Sequence, residues 1–135
     1  MTEERIMETD RRIAALEGDG FMPHCGIELK TDDEGGIYAE FTIDPEHRNA
    51  HGFVNGGMLF TLADIAGGAC IADPDTDIMS LDADFHFLKN VKAGKVYARP
   101  RVIRRGRKIA VVGVDIESEG GILLATSTFT YYTAE

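Results

Sequence analysis

The sequence predicts an α+β fold in which an antiparallel sheet wraps around one long buried helix. The first observation is the stretch from Gly56 to Ala72, which is almost wholly apolar with Asp64 as its single charge. Within it Met58, Leu59, Leu62, Ile65, Ala66, Ala69 and Cys70 recur at helical spacing, and Phe60, Ala63 and Ile71 fill the other faces. A helix apolar nearly all round belongs in a core. The second is that six stretches of strand character flank it, two before and four after, separated by glycine-bearing turns. One buried helix and six strands close most economically as a single curved sheet. The 135 residues are enough for one domain, 1–135, with an N-terminal helix inside 1–20 and the central helix inside 54–72.

Thr2 to Glu17 reads as a modestly amphipathic helix with Ile6, Met7, Ile13, Ala14 and Leu16 as apolar positions, ended by Gly18-Asp19-Gly20. Its expected role is to cover the sheet; the sharper alternative is a flap over a pocket, helped by Phe21 and Met22. His24 to Thr31 is the expected first strand. The turn Asp32-Asp33-Glu34-Gly35-Gly36 leads into Ile37–Ile43, where Ile37, Ala39, Phe41 and Ile43 alternate with polar residues. Asp44-Pro45-Glu46 breaks that strand. After the central helix, Asp73-Pro74-Asp75-Thr76-Asp77 has the alternating aspartates of a calcium loop but lacks its glycine and its full ligand set, and reads as a solvated connection. Strands are expected at Ile78–Leu88, Lys95–Ile103, Lys108–Ser118 and Ile122–Thr133. Pro100 has no N–H to give a ladder, so its strand must be at an edge or bulged there.

Composition excludes several classes of function. A formal net charge of −9 argues against sequence-independent nucleic-acid binding. No apolar run reaches membrane length, and MTEERIMETDRR is not a signal peptide. Cys25 and Cys70 suggest no disulfide framework, so a cytoplasmic protein is the expectation. Four of the fourteen basic residues crowd into Arg104, Arg105, Arg107 and Lys108. Such a hairpin tip is ordinarily just solvated, but its density suits a small anionic ligand.

Asp64 needs a physical reason, because burying an unpaired charge costs several kcal/mol or more. It either bonds a neighbouring hydroxyl or amide to fix the helix, or serves as a general base or nucleophile in a partly dry site. Just upstream, Asn49, Asn55, Gly56 and Gly57 stand where the helix should begin. A helix start offers unpaired N–H groups to a carbonyl oxygen, and glycine lets that oxygen come close. Gly56 and Asp64 are eight residues apart, roughly 12 Å of helix. A reacting carbonyl needs its donors and its base at about 3 Å each. Two antiparallel copies of the helix would meet that demand. His47 and His51 lack a third metal ligand, His86 is placed to pair with Asp82 or Asp84 across the sheet, and no nucleophile elbow occurs.

Asn49-x-x-Gly52-x-x-Asn55-Gly56-Gly57, followed by Leu62-x-Asp64, resembles the signature of the PaaI-like hotdog-fold acyl-CoA thioesterases of the 4-hydroxybenzoyl-CoA thioesterase superfamily. That signature usually reads N-x-x-G-x-x-H-G-G and then L-x-D. Ser80-Leu81-Asp82, Phe87 to Gly94 and Arg104-Arg105-Gly106-Arg107 resemble later elements of the same family, so the likeness spans about residues 24–132. Asn55 stands where the family usually has histidine. The resemblance implies a hotdog fold and hydrolysis of a thioester to a carboxylic acid and free coenzyme A, with coenzyme A as part of the substrate and no other cofactor or metal. It implies that Gly56 N–H and the Asn49 side chain hold the carbonyl. Asp64 of a partner chain would activate a water or attack directly, and Ser80 would help to hold the water. Asn55 and Gly57 would line the substrate, while Arg104, Arg105, Arg107 and Lys108 would meet the coenzyme A phosphates. A homodimer or a dimer of dimers, hence a homotetramer, is expected. The alternatives are a non-catalytic acyl-CoA binding or sensing module and a hydratase or dehydratase. Asp64 favours catalysis over binding, and no histidine matches the position that a hydratase needs.

Overall fold

Six strands form one antiparallel sheet in the computed structural model, which describes residues 3–16 and 18–134. Met1, Thr2, Glu17, Glu135 and the side chains of Arg5 and Ile6 lie outside the described residues. The strands are β1 (Glu28–Thr31), β2 (Ile37–Thr42), β3 (Asp77–Phe87), β4 (Lys95–Arg105), β5 (Ile109–Ser118) and β6 (Leu123–Ala134), in spatial order β1-β2-β4-β5-β6-β3. The helices are α1 (Glu3–Ala14), the single-turn α2 (Phe21–His24) and α3 (Gly56–Ala69), with a 3-10 turn at Pro45–His47. Leu59, Leu62, Ala63, Ala66 and Ala69 of α3 pack into one core with Phe41, Val96, Val112, Val114, Ile116 and Phe129 of the sheet. Among the described residues no helix is long and apolar enough to cross a membrane.

The β1–β2 hairpin follows from its turn chemistry: Asp32 Oδ1 accepts from the N–H groups of Glu34 and Gly36, and Gly35 takes φ +83. At its other end β1 corrects the sequence reading. His24 is not in a strand but closes α2, because Asp19 Oδ1 accepts from Phe21 N (2.9 Å) and Met22 N (3.1 Å) and starts a helical turn. Pro100 sits as its chemistry requires. β2 pairs with β4 only from Lys95 to Ala98, so β4 is an edge by the time it reaches Pro100. β4 runs on to Arg105 past a bulge between Val102 and Arg104.

α1 covers one end of the sheet. Thr9 Oγ1 donates to Gly35 O at 2.6 Å, and Arg11 pairs with Asp73 at 3.5 Å. Just beyond its end, Leu16 and Asp19 border the cleft at Asp64.

Two features of the fold position the site. The first is a bulge in β3 between Ser80 and Asp82. Before it Ile78 and Ser80 face α3; after it Ala83, Phe85 and Phe87 do. In a regular strand Ser80 and Phe85 would point to opposite faces, so the extra residue Leu81 places both on the helix side. The second is that α3 is not enclosed all round, as its composition suggested. Gly57 and Phe60 are exposed, and Thr61, Asp64 and Gly68 are half-buried, which makes one open stripe along the helix.

Cys70 closes α3 with its thiol buried and donating to Gly67 O at 3.1 Å. Burial pushes this thiol up to about 11. Cys25 is half-buried and also raised, by burial first and then by Asp19. A thiolate is the reactive form, so a disulfide reagent at neutral pH is expected to label Cys25 slowly and Cys70 only after denaturant is added. Rapid labelling of both thiols in the native protein would show that the end of α3 opens.

Candidate active site

The start of α3 is built by a loop held from several sides. His47 Nδ1 accepts from Asp44 N at 3.0 Å, so its Nε2–H donates to Cys25 O at 2.8 Å, and both ring nitrogens are committed to structure. Asn49 Oδ1 accepts from His51 N (2.9 Å) and Phe53 N (3.2 Å), with Gly52 at φ +85 between them. The β3–β4 connection anchors the far side, where Val54 N donates to Val91 O and Asn90 Nδ2 donates to Val54 O. The carbonyl of the Asn49 side chain is thus spent on its own loop, and only its amide NH₂ is left to reach a substrate.

Asn55 has a role that the motif did not suggest. It is the N-cap of α3: its Oδ1 accepts from Gly57 N at 2.7 Å, and its backbone carbonyl receives Met58 N and Leu59 N. Gly57, expected to line the substrate through the helix start, therefore has its N–H occupied. Gly56 is the first residue of the helix, and among the described residues its N–H has no partner. Asn55→Ala is expected to cost about 1 kcal/mol of stability, the usual worth of an N-cap, and to lower activity by loosening Gly56. Chemical denaturation beside a turnover assay checks both; a stability equal to that of the wild type would remove the capping role.

The carboxylate lies farther along the same helix. Ser80 Oγ donates to Asp64 Oδ1 at 2.7 Å, and Tyr131 OH donates to the Asp64 backbone carbonyl at 2.9 Å. Asp64, Ser80, Tyr131 and Ile78 share a cleft of about 160 Å³. Burial first, and then the neighbouring Asp64, push the Tyr131 phenol well above its ordinary range, so it stays a protonated donor. Sequence reasoning missed Tyr131. Its signal was a polar-tipped ring at a position where β6 alternation points inward.

The two halves do not share a cleft. Asn55, Gly57 and Thr61 line a separate space of about 340 Å³ with Phe21, His24 and Arg48, and neither Asp64 nor Ser80 borders it. A methyl built on Gly56 would lie 3.2 Å from the Phe87 ring, so that ring packs beside the first residue of α3. From there the rings run inward: Phe87 to Phe85 at 4.6 Å, Phe85 to Phe60 at 5.4 Å, and Phe60 to the buried Phe129 at 5.1 Å. Because of the β3 bulge, the two strand rings share a face with Ser80, which plain alternation along the strand would not give.

Of the basic hairpin, Arg105 borders a cleft of about 390 Å³ with Glu8, Arg11, Arg12, Ala72 and Asp73 at the C-terminal end of α3. Arg104, Arg107 and Lys108 are exposed. All four are thus at the opposite end of α3 from Gly56. His86 pairs with Asp84 at 3.3 Å on its own strand and not across the sheet, because residues two apart share a face. Among the described residues no group of three or more histidine, cysteine or acidic side chains is arranged to hold a metal.

With this geometry in hand, the relatives are informative. The model of the thioesterase superfamily matches residues 51–125. A Haemophilus influenzae protein with an esterase designation is 33% identical over 113 residues, 81% of either chain. The acyl-coenzyme A thioesterase PaaI of Escherichia coli is 26% identical over 78% of this chain and 76% of its own. The solved structure of E. coli PaaI matches 100% of this chain and 97% of its own with a TM-score of 0.83 at 23% identity. A hypothetical thioesterase protein of Streptococcus pneumoniae, solved with coenzyme A, matches 80% of this chain and 88% of its own with a TM-score of 0.69 at 28% identity. The chain belongs to the thioesterase superfamily and has the hotdog fold.

Proposed function

We propose that this protein is an acyl-CoA thioesterase whose sites are each built from two chains, in a homodimer or a dimer of dimers. One observation carries the reading. An unpartnered N–H at Gly56 and a Ser80-bonded carboxylate at Asp64 lie along one helix, and the cleft at the helix start, lined by Asn55 and Gly57, is separate from the one that holds Asp64. They are eight residues apart, or roughly 12 Å along the helix axis, too far to serve one carbonyl. An antiparallel second copy brings Gly56 of one chain beside Asp64 of the other. The open stripe of α3 is then covered, and the free edge of β3, whose only strand partner among the described residues is β6, is available to the same copy.

In this reading the thioester oxygen accepts from Gly56 N–H, with the Asn49 amide as a second donor. Asp64, oriented by Ser80, takes a proton from water as the water oxygen attacks, or attacks the carbonyl itself. In the first case the C–S bond then breaks and the proton passes to the thiolate, releasing free coenzyme A and the carboxylic acid; in the second the thiolate leaves with a proton from solvent, and water then hydrolyses the acyl-aspartyl anhydride. Neither a metal nor a redox group takes part, and coenzyme A enters only with the substrate. The basic residues around Arg105 suit its phosphates, and the coenzyme A bound by the S. pneumoniae neighbour supports the same ligand class. The test is release of free thiol from a panel of acyl-CoAs. Saturable, enzyme-dependent release supports hydrolysis, whereas tight acyl-CoA binding with no release would make the chain a binding module.

A further inference from the structure

Tyr131 is only 1% exposed, yet its tip enters the cleft that holds Asp64 and Ser80. Three observations meet at this residue. Ser80 and Tyr131 are direct partners across the β3–β6 ladder, immediately before the bulge. Both reach the same helical residue, Ser80 through the carboxylate and Tyr131 through the backbone carbonyl. Gly67 lies where the ring passes: a methyl built there would run into the Tyr131 hydroxyl and lie 3.2 and 3.3 Å from its Cζ and Cε2. Only glycine lets the phenol reach the helix so closely.

We propose that Tyr131 is a positioning residue for Asp64, an inference that rests on the thioesterase reading above. Inside an α-helix a carbonyl already accepts the N–H four residues on. The tyrosine bond is therefore a second one, using the other lone pair. α3 does not need it to be a helix. What the bond adds is a tie between layers, fixing the height at which α3 stands over β3 and β6. That height decides whether the carboxylate meets Ser80 Oγ and faces the cleft. Packing alone would be satisfied by phenylalanine; the hydroxyl is needed to hold the carboxylate in register. A misplacement of about 1 Å at a reacting group is enough to cost up to 10²-fold in rate.

The experiment compares wild type, Tyr131→Phe, Gly67→Ala, the double variant, and Ile37→Val as a control. Ile37 is a buried core residue of β2, on the opposite side of the sheet from β3. Its truncation gives a modest stability loss that leaves Asp64 untouched. Tyr131→Phe is expected to lower kcat by about 10- to 100-fold with KM nearly unchanged, since the substrate is held by Gly56 and by the coenzyme A contacts. Ile37→Val should keep kcat. In thermal melts, Gly67→Ala is expected to lower Tm by about 5 °C in the wild-type background, and by much less once the hydroxyl is gone. Wild-type kcat in Tyr131→Phe, an equal fall in Ile37→Val, or a Gly67→Ala effect that is the same in both backgrounds would each overturn the proposal. A wild-type protein that releases no thiol from any acyl-CoA would instead overturn the thioesterase reading, leaving the melts to decide whether Tyr131 is seated on Gly67.

Discussion

Asp64→Asn is expected to lower thioester turnover by about 10²–10⁴-fold, the usual contribution of a general acid–base group, with folding intact. Asparagine keeps the size of aspartate, and its amide oxygen can still accept from Ser80 Oγ, which now bonds Asp64 Oδ1 at 2.7 Å. It loses the negative charge and the basic lone pair. Asp64 is half-buried and borders a cleft. Removing its charge therefore strands no buried partner, and among the described residues no ion pair is broken by it. Rate and stability can thus be read separately, by thiol release and by thermal melting. A variant that melts like wild type and turns over like wild type would remove Asp64 from the chemistry.

Gly56→Pro should have an effect of similar order through the opposite half of the site. Proline is well accepted at the first position of a helix, where its missing N–H has no helical acceptor in any case. Asn55 before it already has extended backbone, φ −61 and ψ 133, which is what a residue preceding proline requires. The added Cβ meets only the Phe87 ring, a side chain that is 58% exposed and free to shift. The substitution therefore deletes one N–H and little else. Loss of a single oxyanion donor costs about 10²–10³ in rate, and that fall is expected in kcat while the melting temperature changes little. Gly56→Ala, which keeps the N–H, is the matched control. If Pro and Ala variants are equally active, Gly56 does not hold the oxyanion.

The residues that could be read in advance were those whose signal is local. Helical spacing from Met58 to Cys70 located α3, and alternation at Ile37, Ala39 and Phe41 located β2. The single charge in an apolar run marked Asp64, whereas Ser80 was reached through the family resemblance and not through any local signal. What stayed hidden depends on partners. The bulge at Leu81 exists only against β6, so the inward line of Ser80, Phe85 and Phe87 has no alternation to betray it. Asp19 looked like part of a helix stop, though it starts the next turn by capping Phe21 and Met22. Asn55 carried a legible capping signal, a polar residue just before an apolar helix. Its place in a family motif drew the reading toward substrate instead. The apolar Phe60 face of α3 shows a limit of composition itself: hydrophobicity marks a surface to be covered without saying whether the same chain or another copy covers it.

The shared site is tested most directly by mixing Asp64→Asn with Gly56→Pro, each nearly inactive alone. In the proposed two-fold dimer each site would take Gly56 from one chain and Asp64 from the other. A hybrid therefore has one site with both defects and one with neither. With equal amounts and free exchange, about half of the dimers are hybrids, so activity should return to about a quarter of wild type. Exchange is followed independently by native mass spectrometry of the two variants. Recovery that rises with the hybrid fraction is the result expected from sites built across two chains. Complete exchange with no recovery would contradict it and would place the whole reaction within one chain.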